Sequence, residues 1–396
     1  MKNKKIKVIH ISSASSSFSV PDYEEDIYRA WFAQVCYQIK KFYPKIEVEG
    51  WTIERKYKKE ETKIHNNLKF RIFPTEVAFR HGMEISLSLI KALLDEQEKA
   101  IKEGKKLIIH LHEHHTLQSY LILLSLDKKK VKIVSQHHGG RSPFQNLIEH
   151  KKFFLFLPIF ILWQIIEKII LKKINVVYGS TELEMTYLKN TLKGSVVKFQ
   201  TMGIGEEYFK EIVSKKIARK KLSLDMDKKY IIFIGRVRKV KGISELLEAM
   251  EKLKKENIEL IIIGKGPHYE YYKDYVEKNK FENAKLLGAV YGDKKMLYLA
   301  ACDYLILPSR GSEGSPIVIM EAMAMNLPFI TTKVGGIPLM FENKREGILV
   351  EPKSTEEIVK AIKEILKWKK KDIRKYAENY KWGKIIKQTI EDYEKA

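Results

Sequence analysis

Glu313 and Glu321 stand in the stretch Ser309–Thr332, read SRGSEGSPIVIMEAMAMNLPFITT, in an E-x7-E spacing. A Gly- and Ser-rich loop there runs into an apolar segment at helical spacing. The pattern predicts a helix with Ser315 as N-cap and Pro316 as first helical residue, where a missing N–H costs nothing. The free amides and dipole of such a helix suit a diphosphate or sugar hydroxyls. The spacing places one carboxylate at the helix entrance and the other farther along the same side. Carboxylates accept paired hydrogen bonds from vicinal diols, so two of them can grip two sugar rings. A second group, His110, His112, Glu113, His114, His115, His137 and His138, crowds the ends of two apolar runs. Such residues suit zinc. The familiar HExxH form would need His where Thr116 stands, and alternation puts His110 and His112 on one strand face with Leu111 on the other. No metal ligand set is expected.

The elements that must position these residues are legible as apolar runs. Lys5–Ile11, Leu107–Leu111, Val131–Ser135 and Asn175–Tyr178 read as strands, with helical patterns at about Asp22–Phe42, Thr116–Leu126 and Phe154–Leu171, the last interrupted near Pro158. The alternation then restarts. Tyr230–Ile234, Glu259–Ile263, Lys285–Leu287, Tyr304–Leu307 and Phe329–Thr332 read as strands with helices between them. Alternation of this kind predicts parallel sheets covered by helices on both faces, hence an α/β chain of two Rossmann-like units. The charged stretch Glu206–Lys229 reads as the linker. The expected domains are residues 1–205 and 206–376, with a C-terminal helix at about 377–396 crossing back to the first. In open sheets ligands bind beyond the carboxyl ends of the strands, so a central cleft faced by both domains is the expected site.

Composition narrows the partners. Lys and Arg number 73 against 50 Asp and Glu, a formal net charge of +23 in 396 residues, spread along the chain rather than held in a tail. That balance favours anionic partners: phosphates, nucleic acid or an anionic membrane surface. No zinc finger, RNA-binding aromatic sheet motif or basic recognition helix is present, so nucleic acid is not expected. Only Cys36 and Cys302 occur, which excludes a disulfide framework. The first strand starts at Ile6 without a secretory h-region, so a cytoplasmic location is expected. Phe153–Trp163 is an unbroken apolar run between lysines, too short to span a bilayer, and reads as a core helix or as a segment at the inner membrane face.

Three segments together resemble retaining glycosyltransferase family 4, the glycosyl transferases group 1 of GT-B fold. They are Glu313–Glu321 continued by Ala322-Met323-Ala324; Gly235-Arg236-Val237 followed by Lys241-Gly242; and Gly335-Gly336-Ile337-Pro338 followed by Gly347-Ile348-Leu349-Val350. Gly264-x-Gly266-Pro267 and Leu287-Gly288 fall where that family has them. The resemblance covers about residues 230–352 and is specific as a set. It implies that Arg236 and Lys241 bind the donor diphosphate, that Glu321 holds the nucleotide ribose and that Glu313 holds the transferred sugar. Gly235, Gly264, Gly288, Gly314, Ser315 and Ile317 would line the donor site, and His138 would reach the donor sugar. The first half departs from the pattern: Ser12–Ser19 stands where the family has a Gly-rich loop, and Met202 stands before Gly203 where an Asn is common. Asp225-x-Asp227 is similar to the metal-binding DxD of a different glycosyltransferase fold but reads as a charged turn.

The expectation is therefore a hexosyltransferase acting with retention. It would take a UDP- or GDP-linked sugar as donor substrate, a glycan or lipid-linked hydroxyl as acceptor and no cofactor. Peripheral contact with an anionic membrane would go with it. The competing readings are a non-catalytic nucleic-acid or anion-binding protein, marked by salt-dependent binding that ignores Glu321, and a nucleotide-sugar epimerase, marked by turnover without acceptor. A phosphorylase would need inorganic phosphate.

Overall fold

The structure, a computed structural model, describes residues 5–13, 27–78, 83–137, 165–192, 194–311, 313–369 and 372–396. His138, the Phe153–Trp163 run and residues 14–19 of the Ser-rich loop lie outside these residues. The chain divides into one unit of Met1–Gln200 with Gly383–Ala396 and a second of Thr201–Trp382.

The first unit holds β1 (Ile6–Ser12), α1 (Trp31–Phe42), β2 (Glu47–Glu54), β3 (Glu61–His65), β4 (Leu68–Pro74), the short ribbon β5 (Val77–Ala78) and β6 (Glu84–Ile85), and α2 (Leu87–Lys102). There follow β7 (Lys106–His112), α3 (Leu117–Ser125), β8 (Val131–Gln136), β9 (Val176–Gly179), α4 (Glu182–Thr191) and β10 (Val196–Phe199). The main sheet runs β10-β9-β8-β7-β1-β2-β4-β3, parallel except for the edge hairpin of β3 on β4. Its inner strands are buried on both sides because helices cover both faces. Ile9, Ile11, Ile109 and Leu111 turn into a core shared with α2 and α3. The alternate residues, His10, His110 and His112, form a buried polar layer on the other face. Tyr393 closes over that layer from the last helix, with its hydroxyl 2.5 Å from His110 Nδ1. The terminal helix thus belongs with the first unit from Gly383 onward, as the C-terminal crossing predicts.

The second unit holds α5 (Lys215–Lys221), β11 (Lys229–Ile234), α6 (Ile243–Lys252), β12 (Ile258–Ile263), α7 (Tyr269–Lys278), β13 (Ala284–Leu286) and α8 (Gly292–Ala301). It continues with β14 (Tyr304–Leu307), α9 (Ile317–Ala324), β15 (Phe329–Thr332), β16 (Gly347–Val350), α10 (Thr355–Ile365) and α11 (Arg374–Ala377), before α12 (Trp382–Lys395) returns to the first unit. The sheet is parallel in the order β13-β12-β11-β14-β15-β16. Numbered within the unit this is 3-2-1-4-5-6, the doubly wound order whose ligand crevice opens where the order reverses. The stretch read as a linker is instead folded. Ser214 caps α5 through Ile217 N–H, and buried Arg219 donates to Asp303 Oδ2 at 2.8 Å and to Ala301 O at 3.0 Å. Of the charges that suggested a linker, Arg219 is buried in an internal ion pair. Asp225-x-Asp227 is the turn its residues predict, with Asp225 Oδ1 accepting from Asp227 N–H at 2.9 Å.

Candidate functional site

Strands β11 and β14 are neighbours at the reversal of the second sheet, so the loops leaving their carboxyl ends line its crevice. The first loop carries Gly235, Arg236, Lys241 and Gly242; the second runs from Pro308 to Pro316. They touch because Gly242 has no side chain: a Cβ there would lie 1.9 Å from Pro308 O, and its φ of +71° is left-handed. Arg310 ties them further. Its main-chain N–H donates to Val240 O at 2.7 Å, and its Nε reaches both carboxylate oxygens of Glu245, at 2.7 and 3.0 Å, in the first turn of α6.

Glu313 is buried in this junction, and its Oε1 accepts from the Lys241 ammonium and the Ser309 hydroxyl. Its main chain is fixed as well, since Gly336 N–H donates to Glu313 O at 2.9 Å. Helix α9 follows four residues later, with a correction to the expected cap. Pro316 is the cap residue, with ψ of 114°, and the helix begins at Ile317. An extended ψ keeps the proline outside the helix, so Ser315 falls one position too early to cap it. No side chain caps α9, which leaves its first-turn amides to a ligand. Gly314, Ser315 and Ile317 are half-buried at this entrance, and Arg236 is exposed on the loop opposite.

Glu321 lies on α9, buried, with Lys295 Nζ of α8 at 2.7 Å from its Oε1. The short turn Glu206–Phe209 packs on α9 and brings Tyr208 to the same carboxylate. Burial and the adjacent Glu321 charge push the Tyr208 phenol well up, so it stays a neutral donor. Gly235, Gly264 and Gly288 end β11, β12 and β13. Gly264 N–H donates to Gly288 O at 2.7 Å, and a Cβ on Gly264 would lie 1.9 Å from Gly235 O. These glycines let the backbones close the floor of the crevice.

The structure thus brings Arg236, Lys241, Glu313, Gly314, Ser315, Ile317 and Glu321 to one end of one sheet. Positive potential there comes from Lys241, Arg236 and the uncapped helix end, and two carboxylates stand ready to accept from hydroxyls. Sequence reasoning missed Ser309, Lys295, Tyr208 and the Arg310–Glu245 clamp. Ser309 opens the segment already singled out. The other contacts join residues far apart in the chain, which spacing does not reveal.

Residues 214–382 match the model of the family described as glycosyl transferases group 1. A putative teichuronic acid biosynthesis glycosyltransferase of Bacillus subtilis is 35% identical over 149 residues, 38% of this chain and 36% of that protein. The match therefore spans little more than a third of that relative's length. Among solved structures, sucrose-phosphate synthase from Thermosynechococcus elongatus superposes with a TM-score of 0.69 at 19% identity, covering 99% of each chain. Anabaena HepE in complex with UDP gives a TM-score of 0.69 at 15% identity over 99% of this chain and 100% of that one. The second unit thus carries the match to the glycosyl transferases group 1, and the two Rossmann-like units share the GT-B fold of these solved structures.

Proposed function

We propose that the protein is a hexosyltransferase that moves a hexosyl group from a nucleotide-diphosphate sugar to a hydroxyl of a glycan or lipid-linked acceptor, with retention of configuration. The observation that carries this reading is the meeting of Lys241, Ser309 and Glu313 at the entrance of the uncapped helix α9. Negative charge grows on the nucleotide diphosphate as the glycosidic bond breaks. Lys241, Arg236 and the α9 amides are placed to meet that charge where it develops. A donor phosphate that draws Lys241 away frees the Glu313 carboxylate to accept from the sugar hydroxyls. Glu321, oriented by Lys295 and Tyr208, accepts from the ribose diol. The acceptor hydroxyl attacks the anomeric carbon from the face the diphosphate leaves, with His138 contacting the sugar. The UDP bound by the structurally similar HepE supports a nucleotide-sugar donor, and the family resemblance implies a uridine or guanosine diphosphate.

The test is a thermal-shift screen of the purified chain against UDP, GDP and their sugar conjugates. A ligand of the folded state at 100 times its Kd adds about 2.7 kcal/mol, which for a unit of this size raises Tm by about 5–10 °C. One base should give such a shift. Lys241→Ala should abolish most of it and lower turnover about 10²–10³-fold. No shift from any of these ligands, or an undiminished one in Lys241→Ala, overturns the reading.

The net charge of +23 and a lipid-linked acceptor go together with peripheral contact at an anionic membrane. No helix among the described residues is long and apolar enough to cross a membrane. The chain should float with anionic vesicles at low salt and be released near 1 M, where the Debye length is about 3 Å. Remaining unbound at low salt would exclude the membrane contact.

A further inference from the structure

Beyond the carboxyl ends of β7, β8 and β9 the first unit gathers its own set of chemical groups. His114 and His115 lie in the turn after β7, His137 directly follows β8, and Glu184 stands in the first turn of α4 after β9. Glu113 leads into the turn with a left-handed φ of +74°, uncommon for a non-glycine residue. The rings of His114 and His115 are 3.9 Å apart, and His137 stands 5.3 Å from His115.

The hydrogen bonds in this cluster share a pattern. His114, His115 and Glu184 are each anchored through one polar atom. His114 Nδ1 is 2.9 Å from Ser135 Oγ, while its Nε2 is buried without a partner. His115 Nδ1 is 3.1 Å from Glu167 Oε1, itself held by the Tyr120 hydroxyl at 2.6 Å. Glu184 Oε2 accepts from Ser180 N–H at 2.9 Å and from the Ser180 hydroxyl at 3.2 Å. Glu184 Oε1 faces His137 Nδ1 at 2.5 Å. One ligand atom from each of His114, His115 and Glu184 lies within 4.8 Å of the other two.

We propose that His114, His115 and Glu184 form a divalent transition-metal site of the zinc type, with three protein ligands and a fourth position open to water. Two histidines and one carboxylate are a ligand set that zinc takes with an open position. Tetrahedral bonds of about 2.0–2.1 Å put ligand atoms about 3.4 Å apart, so small side-chain rotations close the site. A carboxylate on the far nitrogen of a ligating histidine fixes its tautomer and raises its basicity, which is what Glu167 does for His115. Without a ligand, the buried His114 Nε2 is an unpaired polar atom of the kind proteins rarely leave. Linear spacing concealed the set because the carboxylate comes from a different strand–helix turn.

The other histidine group makes a control. His10, His110 and His112 also bring three ligand atoms within 4.8 Å of one another, but there His10 Nδ1 is 2.9 Å from His112 Nε2 and His110 Nδ1 bonds the Tyr393 hydroxyl. The experiment strips the full chain with chelator and titrates it with Zn²⁺ by calorimetry, then with Co²⁺ by visible absorption. About one equivalent should bind, with the Co²⁺ spectrum showing the intense bands of four-coordination. Glu184→Gln and His114→Ala should each weaken binding at least about tenfold, and His10→Asn should leave it unchanged. Circular dichroism checks each variant, and if His114→Ala fails to fold, the near-isosteric Glu184→Gln decides alone. No binding by the wild-type chain overturns the proposal, as does wild-type affinity in Glu184→Gln or loss of the site in a folded His10→Asn.

Discussion

At the scale of single residues, the donor crevice rests on contacts that only a missing side chain permits. A Cβ on Gly335 would lie 1.7 Å from Glu313 O, and its φ is +57°. Gly292 has a nearly identical φ of +55° with nothing within 4 Å of the same atom. The pair separates backbone strain from collision. Gly292→Ala pays only the left-handed penalty of about 1–2 kcal/mol. Gly335→Ala pays that as well and must push the Glu313 main chain aside, so its loss should exceed the other by about 1–3 kcal/mol in urea unfolding. It should also weaken donor binding, because the displaced carbonyl carries the Glu313 carboxylate with it. Equal losses in the two variants, with donor binding intact, would mean that the loop yields freely. Much of this site was legible in the sequence: Glu313, Glu321, Lys241 and Arg236 stand out as types at suggestive spacings. The partners that orient them did not, since Lys295 and Tyr208 are unremarkable until α8 and the turn at Glu206–Phe209 are packed against α9. The Ser315 cap was misplaced by one residue because a Ser-Pro pair fits two registers, and only the ψ of the proline decides between them.

Strand and helix periodicity was the most readable layer. β11, β12, β14 and β15 are near-continuous Ile, Leu, Phe and Thr runs, as strands buried on both faces must be. Strands β2 and β4 were not named because Glu49 and Arg71 interrupt their apolar runs. Buried Glu49 is accommodated by Lys7, 3.0 Å away, and by the Trp51 indole N–H at 2.9 Å, partners supplied by the fold. The polar layer on β1 and β7 has a measurable consequence. Burial pushes the His10 imidazole down to about 3, and among the described residues its ring packs against His110, His112 and Tyr393. In the unfolded chain the same ring titrates near 6.5. Between those values the unfolded state holds the extra proton. The stabilisation from a neutral His10 is therefore complete above about pH 6.5 and is lost as pH falls towards 3, at up to about 1.4 kcal/mol per pH unit. His10→Asn should remove about one proton's worth of that slope in unfolding followed from pH 7 to pH 5. An unchanged slope would mean that the ring is protonated in the folded state and that its neighbours accommodate the charge.

At the scale of the whole molecule, two parallel sheets repeat one plan. Each has its own buried core and its own reversal of strand order, at β1/β7 in the first and β11/β14 in the second. The sequence showed the repeat as an alternation that stops and restarts, with a division expected after residue 205, and the structure divides the chain after Gln200. The Lys-rich residues of α5 look like a linker until Arg219 is seen against Asp303, and the last helix rejoins a unit nearly two hundred residues behind it. Units with separate cores and separate ligands should answer those ligands separately. A ligand that binds one folded unit stabilises that unit by mass action, and stabilises the other only through whatever coupling joins them. Scanning calorimetry of the full chain should resolve two transitions. The cognate nucleotide diphosphate should raise the one that Gly335→Ala lowers, and Zn²⁺ should raise the one that His10→Asn alters. Each ligand should leave the other transition within about a degree, the scale of a coupling below roughly 0.5 kcal/mol. If both ligands move a single transition together, the two cores unfold as one cooperative body, and the shared C-terminal helix becomes the first place to seek the coupling. Truncation before Gly383 would then lower that transition as a whole, whereas with separate units it would lower only the first.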